Sequence, residues 1–531
     1  MKKYFNTIKY LRSIQIYYRI WYLMRLLFKR IFFIKYKLFI PKEAYPLKLN
    51  SLFVDVSLNQ ENNSFTFLNK TKKFNDIDWD YNEFGKLWTY NLNYMDYLLH
   101  PNLSIKDGKK LIINYMSDYS NSKIGKEPYT ISLRTINWIK FISKYEKELK
   151  VDNNNYNNIN ASLYAQYQIL LSNLEYHLMG NHLLENAFSL LFGSYYFQCN
   201  VLYDKSKKIL LSELEEQILK DGAHFELSPM YHCIILGRLL ESIQLIEANN
   251  YKSDQAFLEL LIKKAEKMLS WLVTIQYQNN QLPHVNDSTF GVAPDSNVIF
   301  NYAKSLGLQW KKIKLSDSGY RKFYNDYFEL FVDFGKIGPD YLPGHAHSDT
   351  FNFELYFNGV PCIVDTGIST YNNNKHRLFE RSTYAHNTVT INSMDQSEMW
   401  SVFRVADRAK VIDLTESENM IEATHTGYRK IGLLHKRKFN LNHDDIIISD
   451  EINNNNYKRE SCLHFHPDRE IHFDGKNIFI DKNIKLEFLN YFDVRIEKYE
   501  YCLGFNNRIE SKKMVASINL SSEIRICYEK N

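Results

Sequence analysis

Apolar positions along the chain change their spacing near residue 320, and the change separates two kinds of structure. Upstream the spacing is helical. In SLRTINWIKFISKYE (132–146), Leu133, Ile136, Ile139 and Phe141 or Ile142 fall on one stripe. The same period predicts helices over 162–178, 182–197, 207–220, 230–248 and 255–277, with Asp221-Gly222 as a cap after 207–220. The Asn-rich stretch 153–158 reads as a loop. Successive helices with short links point to an all-α layer, a bundle or a toroid of paired helices. Downstream the period becomes two, and 328–334, 351–357, 388–391, 410–414, 446–452, 471–480 and 518–528 read as strands. Asn358-Gly359 between two such runs signals a type I′ hairpin. That turn pairs Phe357 with Val360 and brings Asp365 back opposite about Asn352. The C-terminal part therefore reads as an antiparallel β-sandwich.

Composition narrows the class. A chain of 531 residues suggests two or more domains. We divide it into a basic aromatic segment (1–44), a helical domain (45–318) and a β-sandwich domain (319–531). Hydrophobic residues at 45% and charged residues at 24% are ordinary for a globular protein, which excludes collagen-like, coiled-coil and wholly disordered readings. The 39 Tyr and 34 Phe have two readings, core filler or a lining for sugar rings, and filler is the commoner. Six scattered cysteines without a CxxC pair read as buried small hydrophobes rather than a disulfide framework.

A net charge of +5 gives no argument for nucleic acid, but the charge is unevenly placed. Residues 1–42 carry eleven Lys and Arg and no Asp or Glu. Between Ile14 and Ile40 the apolar run is broken by Arg19, Arg25, Lys29, Arg30, Lys35 and Lys37. It suits neither a membrane span nor a cleavable secretory signal, so a cytoplasmic protein, or one peripheral at the inner membrane face, is expected. Two readings of the segment stand: an amphipathic helix lying on an anionic membrane, or a helix packed on the body.

Five blocks are dense in polar groups. In Gly180–Asn186 (GNHLLEN), Asn181, His182 and Glu185 read either as a helix cap with a surface pair or as a site. In DGAHFELSPMYH (221–232), Asp221, His224, Glu226, Tyr231 and His232 crowd a helix N-terminus, where a phenolate is favoured and the tyrosine pKa should fall. GHAHSD (344–349) precedes a strand, Asp365-Thr366-Gly367 follows the next, and RSTYAHNT (381–388) completes the set. With Asp365 returned by the hairpin to the His-x-His end of the sheet, His347, Asp365 and His386 form an N,N,O set that suits zinc. A second His-x-His, His464-Phe465-His466, lies in a strand with no carboxylate placed near it and reads as structural.

These blocks resemble the heparinase II/III-like family of bacterial polysaccharide lyases. The carriers are SLRTINW (132–138), NHLLENA (181–187), DGAHFELSPMYH (221–232), GHAHSD (344–349), IVDTG (363–367), RSTYAHNTV (381–389) and QSEMWSVFRVADRA (396–409). Each is weak alone, and their order and spacing over about 85–450 make the set specific. The resemblance implies an N-terminal α/α toroid, a C-terminal antiparallel β-sandwich and β-elimination on a uronate-containing glycan. It assigns Asn181 to neutralising the uronate carboxylate, Tyr231 and His345 to proton transfer, and a structural zinc to His347, Asp365 and His386. His182, Glu185, Arg134, His224 and Glu226 would bind substrate. One departure is Leu227, where the family often has Arg. A basic, uncleaved N-terminus fits relatives acting in capsule or exopolysaccharide production. Two other functions are carried forward: a non-catalytic glycan-binding member, and a glycoside hydrolase using Glu185 and Glu226.

Overall fold

The computed structural model describes residues 2–33, 35–50, 57–59, 63–454 and 457–528. Its first part is helical: α1 (Lys2–Ile8), α2 (Ser13–Ile31), α3 (Lys86–Tyr94), α4 (Ile105–Asp118), α5 (Pro128–Lys144), α6 (Glu146–Lys150), α7 (Asn153–Ser172), α8 (Gly180–Tyr196), α9 (Asn200–Gln217), α10 (Pro229–Ala248), α11 (Gln255–Ile275) and α12 (Ser296–Ser305). A small antiparallel sheet of β1 (Ser57–Asn59), β2 (Ser64–Phe67) and β3 (Lys70–Lys73) lies between α2 and α3. Local chemistry explains several boundaries. Pro128 and Pro229 occupy first turns, where a missing N–H costs nothing. The Asn-rich stretch is the start of α7 and not a loop, because the Asp152 carboxylate accepts the Asn155 N–H and caps the helix. Helix α9 stops at Gln217, earlier than its periodicity suggests, because Ile218 bridges back to His224. The return needs Gly222 at φ +90°, where a Cβ would sit 2.1 Å from the Lys267 carbonyl oxygen.

From Tyr320 the chain is mainly antiparallel sheet. One sheet runs β4 (Tyr320–Tyr324), β5 (Phe328–Asp333), β6 (Phe353–Phe357), β7 (Val360–Ile363) in that order. After α13 (Lys375–Glu380) come β8 (Val389–Ile391), a two-stranded pair β9 (Met399–Trp400) and β10 (Arg404–Val405), β11 (Val411–Ser417), β12 (Met420–His425), β13 (His435–Leu441), β14 (Asp445–Ile452), β15 (Arg459–His464), β16 (Ile471–Phe473), β17 (Ile478–Ile480), β18 (Ile484–Gly504) and β19 (Asn507–Tyr528). The larger sheet orders these β11–β12–β13–β14–β19–β18–β17–β16, with β15 joining β19 to β8. Phe328, Leu330, Phe353 and Leu355 of the small sheet share one apolar core with Ile421, Phe439, Ile448, Met514 and Ile524 of the large one.

The Asn358-Gly359 hairpin pairs Phe357 with Val360, and the Asn352 side chain donates to Asp365 Oδ2 at 2.6 Å, the juxtaposition its turn chemistry implies. The stretch read as one strand over 471–480 is two, because the Asp474 carboxylate accepts the N–H groups of Lys476 and Asn477 and turns the chain. Among the described residues no helix is long and apolar enough to cross a membrane.

Candidate active site

A cleft of about 990 Å³ runs between the helices and the β-part. Helices α3, α5, α8 and α10 contribute Tyr90, Tyr94, Tyr129, Asn137, Asn181, His182, Tyr231 and Arg238. The β-part contributes Tyr341, His345, Tyr371 and Phe403, and α2 adds Gln15 and Arg19. Most of the aromatic surplus is core, but this subset presents rings to the cleft.

Asn181 opens α8 behind Met179 and Gly180, both at positive φ (66° and 58°). Gly180 is required there, since a Cβ would meet Leu342 at 2.1 Å and Glu226 Oε1 at 2.6 Å. Asn181 Nδ2 donates to both oxygens of Glu226, at 3.1 and 2.9 Å, and its backbone N–H donates to Oε1 at 3.0 Å. A carboxylate only accepts, so this contact fixes which amide atom is nitrogen. Glu226 Oε2 also lies 3.4 Å from His345 Nε2. One buried carboxylate thus anchors Asn181 and stands beside His345.

Tyr231 sits in the first turn of α10, its N–H donating to the capping Ser228 hydroxyl at 3.2 Å. Its ring lies 4.0 Å from that of His345 and its hydroxyl 3.3 Å from that of Tyr371. Burial raises the Tyr231 phenol above its ordinary pKa, with the charges of Asp287 and Glu226 adding to the rise. The lowered tyrosine pKa expected from the helix N-terminus is therefore corrected: desolvation exceeds the dipole.

His345 is held from behind. Its Nδ1 lies 2.8 Å from Asp287 Oδ2, and the other Asp287 oxygen lies 2.9 Å from His347 Nε2. Arg377 clamps both oxygens of Asp287, at 2.5 and 2.8 Å. Burial opposes ionisation of Asp287, but Arg377 and the imidazoles hold its carboxyl well below the usual range. This arrangement makes Nδ1 the donor nitrogen and directs Nε2 to the cleft. Backbone strain accompanies it. Leu227 and Asn286 have φ of 57° and 54°, and the Leu227 carbonyl is pinned by Tyr320 and Asn286.

Behind His345 lies a buried cluster. His347, Asp349 and His386 offer ligand atoms that all fall within 4.8 Å of one another. The orphaned atoms are the telling ones: His347 Nδ1, Asp349 Oδ2 and His386 Nε2 are each buried without a hydrogen-bond partner. A buried N,N,O set with three unused lone pairs fits a divalent cation. Asp365, read from the sequence as the oxygen ligand, stands one bond outward: its Oδ2 lies 2.9 Å from His386 Nδ1, while Asp349 meets the two imidazoles.

Four expected substrate contacts are buried instead. Arg134 is wholly buried, bonded to Gln166 and to the carbonyls of Asn93 and Gly125. His224 bonds Gln217 at 3.0 Å, and burial lowers its pKa to about 4. Glu185 pairs with Arg238 at 3.2 Å and Glu226 with Asn181, so neither carboxylate of the hydrolase reading faces the cleft. His182 does line the cleft, its ring tilted against Tyr129 at 4.5 Å, with Nδ1 3.1 Å from Glu175. His464 is buried against Asn387 and Tyr499, as a structural residue would be. Asp287, Tyr371, Arg377 and Asp349 were not singled out in the sequence. Two imidazoles in GHAHSD imply an acidic partner, but nothing in the spacing points 60 residues back to Asp287.

A helical part followed by antiparallel sheets, with Asn, Tyr and His meeting in the cleft between them, defines a two-part class of chain. Residues 126–314 match the heparinase II/III N-terminus and residues 309–528 the heparinase II/III-like C-terminal region, so the chain belongs to the heparinase II/III family. A heparin-sulfate lyase of Bacteroides stercoris is 23% identical over 276 residues, 46% of this chain and 40% of that protein. One of Pedobacter heparinus is 26% identical over 212 residues, 35% of this chain and 31% of that one. The matched stretches thus span less than half the length of these relatives. A heparinase III crystal structure superposes with a TM-score of 0.68 at 18% identity, covering 86% of this chain and 80% of that one. The heparan sulfate lyase of Pedobacter heparinus gives 0.56 at 17%, covering 86% and 79%.

Proposed function

We propose that this chain is a polysaccharide lyase that cleaves an acidic, uronate-containing glycan by β-elimination. The observation that carries the reading is the meeting of Asn181, Tyr231 and His345 on one cleft, two from helices and one from the β-part. The proton at C5 of a uronate becomes removable only when the neighbouring carboxylate is neutralised. The side-chain amide of Asn181, held at the cleft by Glu226, supplies that neutralisation. His345 Nε2, with its tautomer fixed by Asp287, takes the C5 proton. Tyr231, kept protonated by burial, gives its proton to the O4 leaving group. The relatives named heparin-sulfate lyases support a glycosaminoglycan-like substrate.

The same reading takes the helices as an α/α toroid and the two sheets as a β-sandwich, divided near residue 318. It assigns a structural zinc to His347, Asp349 and His386, with Asp365 orienting His386, and the bound ion would brace the loop that presents His345. A panel of uronate polysaccharides digested by the purified chain, followed by the ultraviolet absorbance of an unsaturated uronate, tests the function. Absorbance growth on one acidic glycan is expected. Silence across a broad panel with the metal bound and the fold intact would move the assignment to a glycan-binding role.

A further inference from the structure

Helix α2 is mounted with its polar side inward. Gln15, Arg19, Tyr22 and Arg25 face the body and donate to the carbonyls of Leu178, His177, Leu174 and Ser172. Tyr18 stacks on Tyr176 at 4.7 Å. These contacts fall on the last residue of α7 and on the segment between α7 and α8, and Arg25 meets the carbonyl end of α7, where cations are favoured. The opposite face of α2 is apolar and turned to solvent. Ile16, Ile20, Leu23, Met24, Leu27 and Ile31, at the three- and four-residue spacing of one stripe, are between 41% and 67% exposed. Trp21 and Phe28 widen it, at 44% and 52%. A monomeric surface seldom leaves so continuous an apolar stripe uncovered.

Charge says what covers it. Residues 1–42 hold no acidic residue, and with Arg12 paired to Glu216 and Arg19 and Arg25 turned to the body, Lys9, Arg30, Lys35, Lys37 and Lys42 remain exposed. Pairing two copies of this face would bring those cations together with no carboxylate from the segment to answer them. An anionic lipid surface supplies the complementary charge and takes the apolar side chains into its acyl boundary, while the long basic side chains reach the headgroups. We propose that α2 is an interfacial docking helix that binds the protein to an anionic lipid bilayer, apolar face inward. Gln15 and Arg19 on its packed face line the cleft, so docking holds the cleft beside the lipid surface.

The test uses the full chain with vesicles of phosphatidylglycerol and phosphatidylcholine, and with phosphatidylcholine alone, in a co-sedimentation assay. The variant Leu23→Glu/Leu27→Glu changes two exposed side chains that touch no part of the cleft, so its melting curve should stay close to that of the parent. Wild type should sediment with the anionic vesicles, more weakly at high salt and little with the neutral ones. The double variant should bind about tenfold more weakly or worse. Failure of wild type to bind anionic vesicles, equal binding by the variant, or equal binding to neutral vesicles each overturns the proposal. A lipid-free dimer in sedimentation velocity that the variant dissociates would assign the face to a second copy instead.

Discussion

Burial around Tyr231 penalises the phenolate, and the Asp287 and Glu226 carboxylates add to that penalty. A phenol kept neutral holds a proton to give and cannot itself serve as the base, whereas His345 has Nδ1 committed to Asp287 and Nε2 turned to the cleft. The division of roles therefore follows from environment and not from residue type. Tyr231→Phe keeps the ring beside His345 and removes the hydroxyl with its proton. Turnover should fall by roughly 10²–10⁴-fold, while calorimetric affinity for an oligosaccharide stays nearly unchanged. Retained turnover would remove Tyr231 from the chemistry. The blocks that hold Asn181, Tyr231 and His345 were legible in the sequence by their polarity, while the roles of the three residues came from the family resemblance. Asp287 and Arg377 were not, because their meaning comes entirely from what the fold sets beside them.

The turn between α9 and α10 is held by two neutral histidines. His232 Nδ1 accepts the His224 N–H at 3.2 Å and its Nε2 donates to the Met268 carbonyl at 3.1 Å, so protonation would cost it an acceptor. Burial lowers His224 to about 4 and His232 to about 3. The unfolded chain takes up these protons near pH 6.5, so it binds more of them than the folded one. Stability from this turn is thus complete above about pH 6.5 and is lost as pH falls towards 4 and 3. Between pH 7 and pH 5 the loss should be about 2 kcal/mol per histidine. His232→Gln, which keeps a donor and an acceptor but does not titrate, should flatten the acid limb in denaturant titrations at the two pH values. An unchanged limb would contradict this assignment.

The loop that ends in Asp349 makes a second case at the same scale. Asp349→Asn should abolish metal retention measured by elemental analysis and lower the melting temperature. Asp365→Asn, which only loosens His386, should weaken affinity by about 10–100-fold. Metal lost equally in both would make Asp365 a direct ligand. Element boundaries were readable where a turn announced them, as at Asn358-Gly359. Strand β18 escaped because register shifts at Leu489/Tyr491 and Phe492/Arg495 interrupt its two-residue period.

Across the whole molecule the cleft is assembled from distant parts of the chain: Asn181 and Tyr231 from helices, His345 from the loop before β6, Tyr371 after β7. The order of helical and sheet segments was plain from the change in periodicity, and the hairpin register placed Asp365 beside Asn352. Which polar residues face the cleft was not, since Arg134, His224 and Glu185 lie in helical or turn segments as polar as those that do face it, and the packing of helix on helix decides. Elimination, hydrolysis and binding without cleavage leave products of different mass. Wild type and Tyr231→Phe would be incubated with the glycan that the panel selects, and the oligosaccharides weighed by mass spectrometry. Wild type alone should give new non-reducing ends one water lighter than those of hydrolysis. Products carrying the full water, or cleavage that survives in Tyr231→Phe, would contradict it.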